Sequence, residues 1–177
     1  MNEPYETLDR KFKETCKVVL GEPVGDLQGF LQWLSLHPGK IPAKKSSLSQ
    51  KQVVFTRMEY CGEQFISFDE IDFGKQYSKI EPQSLKNLHS IVRSFSDRFY
   101  YCGNLILGNS KFIESSTNIS DCHYTYEAIL HTNSKYILKC NHGRQDDSLF
   151  GVYGSGESSF CISTMPWQRI SLNSEEQ

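Results

Sequence analysis

The second half of the chain places an aromatic residue every twelve positions, and this spacing restricts its fold more than any other feature. An Asn or Asp stands three residues before each of the first four rings. A helical hairpin repeat would need a period of about 30 residues or more, and a hairpin meander keeps no fixed phase. The pattern therefore indicates very short strands that alternate with tight corners, as in a β-solenoid. The rings predicted to stack, the last two with altered spacing, are Tyr100, Phe112, Tyr124, Tyr136, Phe150 and Phe160.

Two nearly identical hexapeptides suggest the length of one coil. NSKFIE begins at Asn109, and NSKYIL begins at Asn133. If both occupy the same corner of successive coils, one coil takes about 24 residues, and residues 97–165 form two to three coils. Equivalent side chains then stack about 4.8 Å apart, which predicts a ladder of rings along or inside the wall. Cys122 takes a small-residue position like that of Ser110, which favours a structural role for its thiol.

Residues 97–163 resemble the right-handed β-helix architecture. The loose style of the repeats is also similar to that of uncharacterised repeat proteins of large DNA viruses and of some bacteria. Enzymes of β-helix architecture usually have many more coils, so the resemblance implies a fold and no particular activity.

Residues 1–96 are expected to form a helical cap region with a β-hairpin, which makes the fold class α+β. Apolar residues at steps of three and four predict an amphipathic helix over residues 5–20. A second helix is predicted from Asp26, its expected N-cap, to Pro38, with Leu27, Phe30, Leu31, Leu34 and Trp33 as its apolar stripe. A third is predicted over Ser84–Ser96, with Ser84 as N-cap.

The predicted hairpin joins two runs rich in β-branched and aromatic residues, Gln52–Tyr60 and Gln64–Ile71. The acidic cluster after it, Asp69, Glu70 and Asp72, is interpreted as a solvated edge, because it lacks the alternation and the glycine of a calcium loop. The tail, residues 166–177, is expected to place Trp167 over the final coil and to fray at its end.

Composition argues against several classes of function. The formal net charge is -2 and the pI is near 6.2, so no overall basic field would attract nucleic acid or anionic membrane. No apolar run reaches the roughly 18 residues that could cross a bilayer, and the first residues lack the apolar core of a signal peptide. We therefore expect no membrane insertion and a reducing, intracellular compartment, the cytoplasm or an assembled particle. The six cysteines are then interpreted as free, mostly buried thiols.

No residues in the sequence stand out as a catalytic, cofactor-binding or metal set. Cys140 and His142 could offer two zinc ligands, but no second pair with suitable spacing follows. A thiol nucleophile with a histidine base is conceivable, yet no cysteine is marked as activated. The glycine-rich stretch Gly151–Ser159 lacks the residues of a phosphate loop and of a nucleophile elbow, and it is interpreted as a corner.

The leading functional hypothesis is a structural or interaction protein without enzymatic activity, held in a larger assembly such as a virus particle. A short solenoid has two ends with unpaired backbone groups. The helical first half can cap the front, whereas few residues remain to cap the back, which would then accept a protein partner or another copy of the chain.

Two alternatives stay open. One is a carbohydrate-active or ligand-binding module of β-helix type that uses polar groups on the solenoid face, namely Asp121, His123, His131 and Asp146 or Asp147. The other, less favoured because interleaved aromatic residues are missing, is a phosphate or nucleic-acid adaptor that uses the lysines of loop 40–51: Lys40, Lys44, Lys45 and Lys51.

Overall fold

The structure, a computed structural model, describes residues 3–56, 64–76, 79 and 87–163. Its helices are α1 (Glu3–Leu20), α2 (Leu31–Leu34) and α3 (Leu88–Phe95). Short 3₁₀ helices cover Leu27–Phe30, Phe68–Glu70 and Ser96–Arg98. The first strands are β1 (Ala43–Lys45), β2 (Gln52–Val54), β3 (Phe65–Ser67), β4 (Tyr101–Gly103), β5 (Ile106–Leu107) and β6 (Lys111–Glu114). They are followed by β7 (Thr117–Ser120), β8 (His123–Thr132), β9 (Lys135–Arg144), β10 (Asp147–Phe150) and β11 (Ser159–Ile162).

The predicted β-solenoid and the α+β class are confirmed, but the coil is half as long as expected. Parallel pairing joins His123 to Lys135, Lys135 to Asp147, and Asp147 to Ser159, each twelve positions apart. One coil therefore takes twelve residues, and the solenoid has about five coils where two to three were expected. The two NSK corners lie two coils apart, because the corner between them is written Asp121-Cys122-His123.

A left-handed residue at every third position bends the chain into this narrow coil. From Phe112 to Ser163, every third residue has a positive φ, and for the non-glycine residues it lies between 46° and 60°. Asn and Asp tolerate this region best, whereas residues such as Leu130 adopt it only where the surrounding structure compensates. Each such residue turns the backbone at a corner, so a coil has four short sides. The next residue along the chain points into the interior.

The interior is filled by four columns of side chains that are mostly small or aliphatic, with His131 and Asp146 as the charged or titratable exceptions. Two of the columns also contain hydrogen-bond acceptors for the coil that follows. The backbone N–H of Cys122 donates to Ser110 Oγ at 3.2 Å, that of Ala128 to Ser116 Oγ at 3.0 Å, and that of Asp146 to Ser134 Oγ at 3.2 Å. Buried N–H groups need such partners, which explains the small polar residue two positions before each ring. The inward residues from Ile113 to Ser158 are Ile113, Ser116, Ile119, Cys122, Thr125, Ala128, His131, Ser134, Ile137, Cys140, Gly143, Asp146, Leu149, Val152, Ser155 and Ser158.

Helix α1 runs along one side of the solenoid and does not cap its end. Tyr5 contacts Tyr126 with ring centroids 6.4 Å apart, and Phe12 contacts Phe150 at 5.3 Å. The two solenoid residues are two coils apart, or about 9.6 Å, while seven helical residues rise about 10.5 Å. One helical turn therefore matches roughly one coil. This match lets the apolar stripe of α1 bury Leu8 and Phe12 against successive coils.

The segment after α1 completes the core on this side. Leu27 and Leu34 are fully buried, but Trp33 is 45% exposed, so its assignment to the buried stripe was wrong. Asp26 does not cap the helical turn with its side chain; it pairs with Lys13 at 2.6 Å. The cap comes from α1, because the N–H of Leu27 donates to Asp9 Oδ1 at 2.7 Å.

Short strands in front of the solenoid pair differently from the predicted hairpin. β2 pairs antiparallel with β1, and β3 pairs in parallel with β4. The antiparallel partner of Gln52–Val54 thus comes from the lysine loop, while residues 57–63 lie outside the described residues. Asn104 ties this layer together: its Oδ1 accepts from the N–H of Val54 at 2.9 Å, and its Nδ2 donates to the carbonyl of Gln52 at 3.0 Å.

Helix α3 begins later than expected, with Asn87 as its N-cap, whose side chain accepts from the N–H of Ser90 at 2.9 Å. Leu88 and Val92 on this helix are 76% and 53% exposed, so neither is buried beneath a cap. The predicted N-cap at Ser84 lies outside the described range, as do Trp167 and the tail from residue 166 onward.

Candidate functional site

Three of the predicted rings form a stack on the outer wall. Phe112 lies 4.6 Å from Tyr124, and Tyr124 lies 5.4 Å from Tyr136, with interplanar angles of 16° and 20°. Neighbours in the stack are twelve residues apart, so each comes from the next coil. The next position is Ser148, which interrupts the stack.

The other predicted members of the ladder lie elsewhere. Phe150 is fully buried and packs against Phe12 of α1, so its placement in the stack was wrong. It follows Ser148 by two positions and belongs to a different column. Phe160 returns to the column of Phe112 and is 36% exposed. Tyr100 precedes β4, which pairs with β3 in the front layer.

The stack ends at a strand with an unpaired edge, which we call the front edge: the side of β6 and Ser115 that faces away from β8. Within the described part of the chain, β6 pairs only with β8. The strand in front of β6 would have to come from the preceding coil. The strand of that coil, β4, pairs with β3 instead.

The hydrogen bonds of the other coils show which groups the front edge leaves open. The N–H of Gly151 donates to the carbonyl of Leu138 at 2.9 Å, and the N–H of Ser163 donates to that of Phe150 at 2.7 Å. Both donors are left-handed corner residues that reach back to the preceding coil. Ser115 and Phe112 are such residues, and no strand that the structure describes lies in front of β6, so their N–H groups point to the front edge.

Open space flanks the front edge on both sides. A cavity of about 430 Å³ lies towards the front layer and is lined by residues that include Lys51, Asp69, Ile106 and Glu114. A smaller one of about 180 Å³ lies between β6 and the start of α1, next to Tyr5 and Phe112. Phe112 itself is 44% exposed.

A second polar cluster lies inside the solenoid. His131 and Asp146 have no exposed side-chain surface, and His131 Nδ1 lies 4.0 Å from Asp146 Oδ2. That carboxylate accepts from Ser155 Oγ at 2.8 Å and from the N–H of Ser158 at 3.0 Å. Gly143 makes the room, because a Cβ there would collide with both the imidazole and the carboxylate.

Burial controls the charge of this cluster. Desolvation lowers the pKa of His131 from 6.5 to about 4, and it raises the pKa of Asp146. Neither ring nitrogen of His131 has a hydrogen-bond partner among the described residues. The imidazole is therefore neutral at physiological pH.

The structure brings together only part of the site required by the β-helix enzyme alternative. His131 and Asp146 meet, but they are sealed from solvent and no substrate reaches them without local opening. Asp121 lies on a corner outside, where the N–H of Asn109 donates to it at 2.9 Å and holds its pKa below the usual range. His123 and Asp147 lie on the outer wall in the same column as Lys135, one coil before it and one coil after it. They are not in the interior column of His131.

The cysteines that the structure describes are not poised for nucleophilic attack. Burial raises the pKa of Cys140 to about 12 and of Cys161 to about 11, and it also raises the pKa of Cys16, Cys102 and Cys122. Thiols of this kind stay protonated at neutral pH. No three His, Cys, Asp or Glu side chains converge as a metal site within residues 3–56, 64–76 and 87–163.

The four candidate lysines do not form one basic patch. Lys51 is paired with Asp69, with Nζ 2.7 Å from Oδ1, and Lys44 lies 5.9 Å above the ring of Phe65. Lys40 lines another cavity, of about 490 Å³, together with the ion pair of Lys139 and Glu127. Lys45 is exposed on β1.

The carboxylates predicted to form a solvated acidic edge have partners within the fold. Glu70 Oε2 accepts from Ser46 Oγ and from the N–H of Ser67, both at 2.8 Å. Hydrogen bonding from Lys51 lowers the pKa of Asp69. Asp72 accepts from the N–H of Gly74 at 2.9 Å. Asp69 and Glu70 therefore hold the lysine loop, whereas Asp72 holds only its own turn.

Comparison of the chain with protein-family models, with curated proteins and with solved structures gives no match. Among the described helices, none has the length and apolar character needed to cross a membrane.

Sequence reasoning missed the front edge; it named His131 and Asp146 as candidate polar groups but placed them on the solenoid face and not inside it. The cluster had a signal once the period of three is known, because Asp146 is the inward residue after Gly143, and Gly143 lies one coil from His131. The front edge had none, because nothing in Tyr101–Gly103 shows that this strand leaves the solenoid for β3.

Proposed function

We propose that the protein is a structural or interaction component of a larger assembly and that it binds its partner by strand addition at the front edge. The observation that carries the proposal is the edge itself. Among the described residues no strand pairs with its corner N–H groups, and its ring presents an open face at the end of a stack. Exposed edges of this kind pair with extended segments of other chains.

The sealed interior and the protonated thiols support the same choice over catalysis. The polar groups that could carry out chemistry are either enclosed, as His131 is, or occupied by the fold, as Asp121 is. A virus particle is one assembly of the proposed kind, and its support is the resemblance of the repeats. The back end is a further candidate edge: within the described residues β11 pairs only with β10.

The experiment isolates the tagged chain from its native cells after chemical cross-linking and measures the mass of the particle that contains it. We expect a particle of at least twice the 20.4 kDa of the chain, with cross-links near Lys111. Phe112→Ala should reduce recovery of that particle, because it removes the exposed ring. Trp33→Ala is the matched control, since Trp33 is equally exposed but belongs to α2 and not to β6. Recovery of the chain only as a free monomer would refute the proposal.

A further inference from the structure

The front edge has a charge and shape pattern that specifies the strand it would bind. We infer that its partner is an extended segment with the order acidic, aromatic, apolar, basic, added in parallel to Lys111–Glu114. The inference rests on the proposed function and deepens it by naming the chemistry of the partner. It follows from the four consecutive positions of β6.

The backbone fixes direction and register. Every neighbouring pair of strands in the solenoid, including β6 with β8, is parallel and shifted by one coil. A segment that takes the place of the missing coil must offer one carbonyl to Phe112 N–H and another, three residues later, to Ser115 N–H. The left-handed corner at Phe112 makes this spacing specific, because an antiparallel strand would place its carbonyls at other intervals.

The central positions determine the apolar part of the pattern. The outer face of Phe112 continues the stack of Tyr124 and Tyr136, so an aromatic residue in register would lie at the same separation of about 5 Å. The next position faces Ile113, which lines both flanking cavities. An apolar side chain there would fill space beside the exposed Ile106.

The outer positions determine the charges. Lys111 and Glu114 are exposed, and within the part of the chain that the structure describes neither forms an ion pair. Directly opposed side chains of paired strands attract when their charges differ and repel when they are alike. An acidic residue beside Lys111 and a basic residue beside Glu114 satisfy both positions at once.

The test uses the full chain and synthetic peptides as probes. A fluorescein-labelled peptide Thr-Asp-Tyr-Val-Lys-Thr is titrated with the protein and its anisotropy recorded. Two comparison peptides exchange the Asp and the Lys, or replace the Tyr by Ala. We expect the charge-exchanged peptide to bind about tenfold more weakly and the Ala peptide about fivefold more weakly.

A charge-reversed protein locates the binding site and guards against misfolding. The double variant Lys111→Glu with Glu114→Lys should prefer the charge-exchanged peptide over the original one. Lys135→Glu is the matched control: this residue occupies the same column in an interior coil, where the strand edge is already paired, and should leave the preference unchanged.

Equal binding of all three peptides, or a preference that does not reverse in the double variant, would overturn the inferred pattern. That result would leave the proposed function standing if Phe112→Ala still reduces recovery of the native particle. Absence of any such particle would instead overturn the proposed function itself, so the two failures are distinguishable. Self-association of the chain through the front edge would be seen as a mass of 40 kDa or so in light scattering without peptide, which overturns the assignment to a separate segment.

Discussion

Replacing His131 by leucine tests the interior of the solenoid, because it removes the only titrating imidazole that the structure places inside the coils. The ring is fully buried beside Asp146, in the space left open by Gly143. His131→Leu places an apolar side chain of similar volume next to Ile119 and leaves Asp146 in place. The substitution removes the proton that the imidazole takes up on unfolding, while the packing stays close to the original.

The size of the effect follows from the pKa of His131. Burial lowers it from 6.5 to about 4, so the unfolded chain takes up a proton more readily than the folded one. The contribution of His131 to stability is therefore complete above about pH 6.5 and is lost as the pH falls towards 4. Between pH 7.5 and pH 5.0, the loss amounts to about 2 kcal/mol.

Asp146 acts in the opposite direction. Its raised pKa means that the folded chain holds this proton more tightly than the unfolded chain, which favours folding as the pH falls. Comparing wild type with His131→Leu keeps this contribution on both sides, so that the difference between the two proteins reports His131.

The assay is urea denaturation followed by circular dichroism at pH 7.5 and pH 5.0. We expect the free energy of unfolding to fall by about 2 kcal/mol more in wild type than in His131→Leu. His89→Gln is the control, because His89 is exposed on α3 and should leave the wild-type pH dependence intact. Identical pH dependence of wild type and His131→Leu would refute the reasoning that burial of a neutral imidazole sets the acid stability.

The remaining predictions concern the free energy of unfolding at neutral pH, measured by the same urea denaturation. Gly143→Ala should cost about 1–3 kcal/mol, since its Cβ collides with the buried imidazole, whereas Gly156→Ala meets no atom within 4 Å and should change stability by about 0.5 kcal/mol or less. Phe12→Ala should cost about 3–5 kcal/mol by emptying the space between Phe30 and Phe150, and Trp33→Ala, being half exposed, much less. Ser134→Ala should cost about 1–3 kcal/mol, because it leaves the buried N–H of Asp146 without its acceptor. A null result for Gly143→Ala, for Phe12→Ala or for Ser134→Ala would contradict the packing or hydrogen bonding assigned to that residue.

The solenoid could be predicted because aromatic residues on its outer wall repeat once in every coil. Phe112, Tyr124 and Tyr136 are wall residues in one column, and their common spacing directly reports the coil. The predicted coil length was twice the true one because the prediction relied on matching polar residues at the corners. Asn109 and Asn133 begin matching hexapeptides, while the copy between them begins with Asp121 and resembles them mainly by the aromatic residue at its fourth position.

The left-handed backbone conformation at every third residue could not be predicted from the conformational propensities of the residue types. The left-handed positions are occupied by residue types as different as Phe112, Glu127, Leu130 and Lys139, few of which favour positive φ on their own. They adopt it because the hydrogen bonds between coils compensate for the local cost. The hairpin failed for a related reason: β1 is three exposed residues, and no alternation of apolar side chains marks it as a strand.

The rule that builds the solenoid also accounts for the proposed binding. Each coil is incomplete by itself, because its corner N–H groups reach back to carbonyls of the coil before it, as the N–H of Gly151 reaches Leu138. Extra coils would only move this incompleteness along the axis. The chain instead pairs β4 with β3, and this ends the stack. The corner N–H groups of β6 then still require carbonyl acceptors. A partner strand that supplies these acceptors needs the register of a solenoid coil, an aromatic residue beside Phe112 and charges opposite to those of Lys111 and Glu114. The contacts that would make binding specific are therefore the same kind of contacts that make the coils stack.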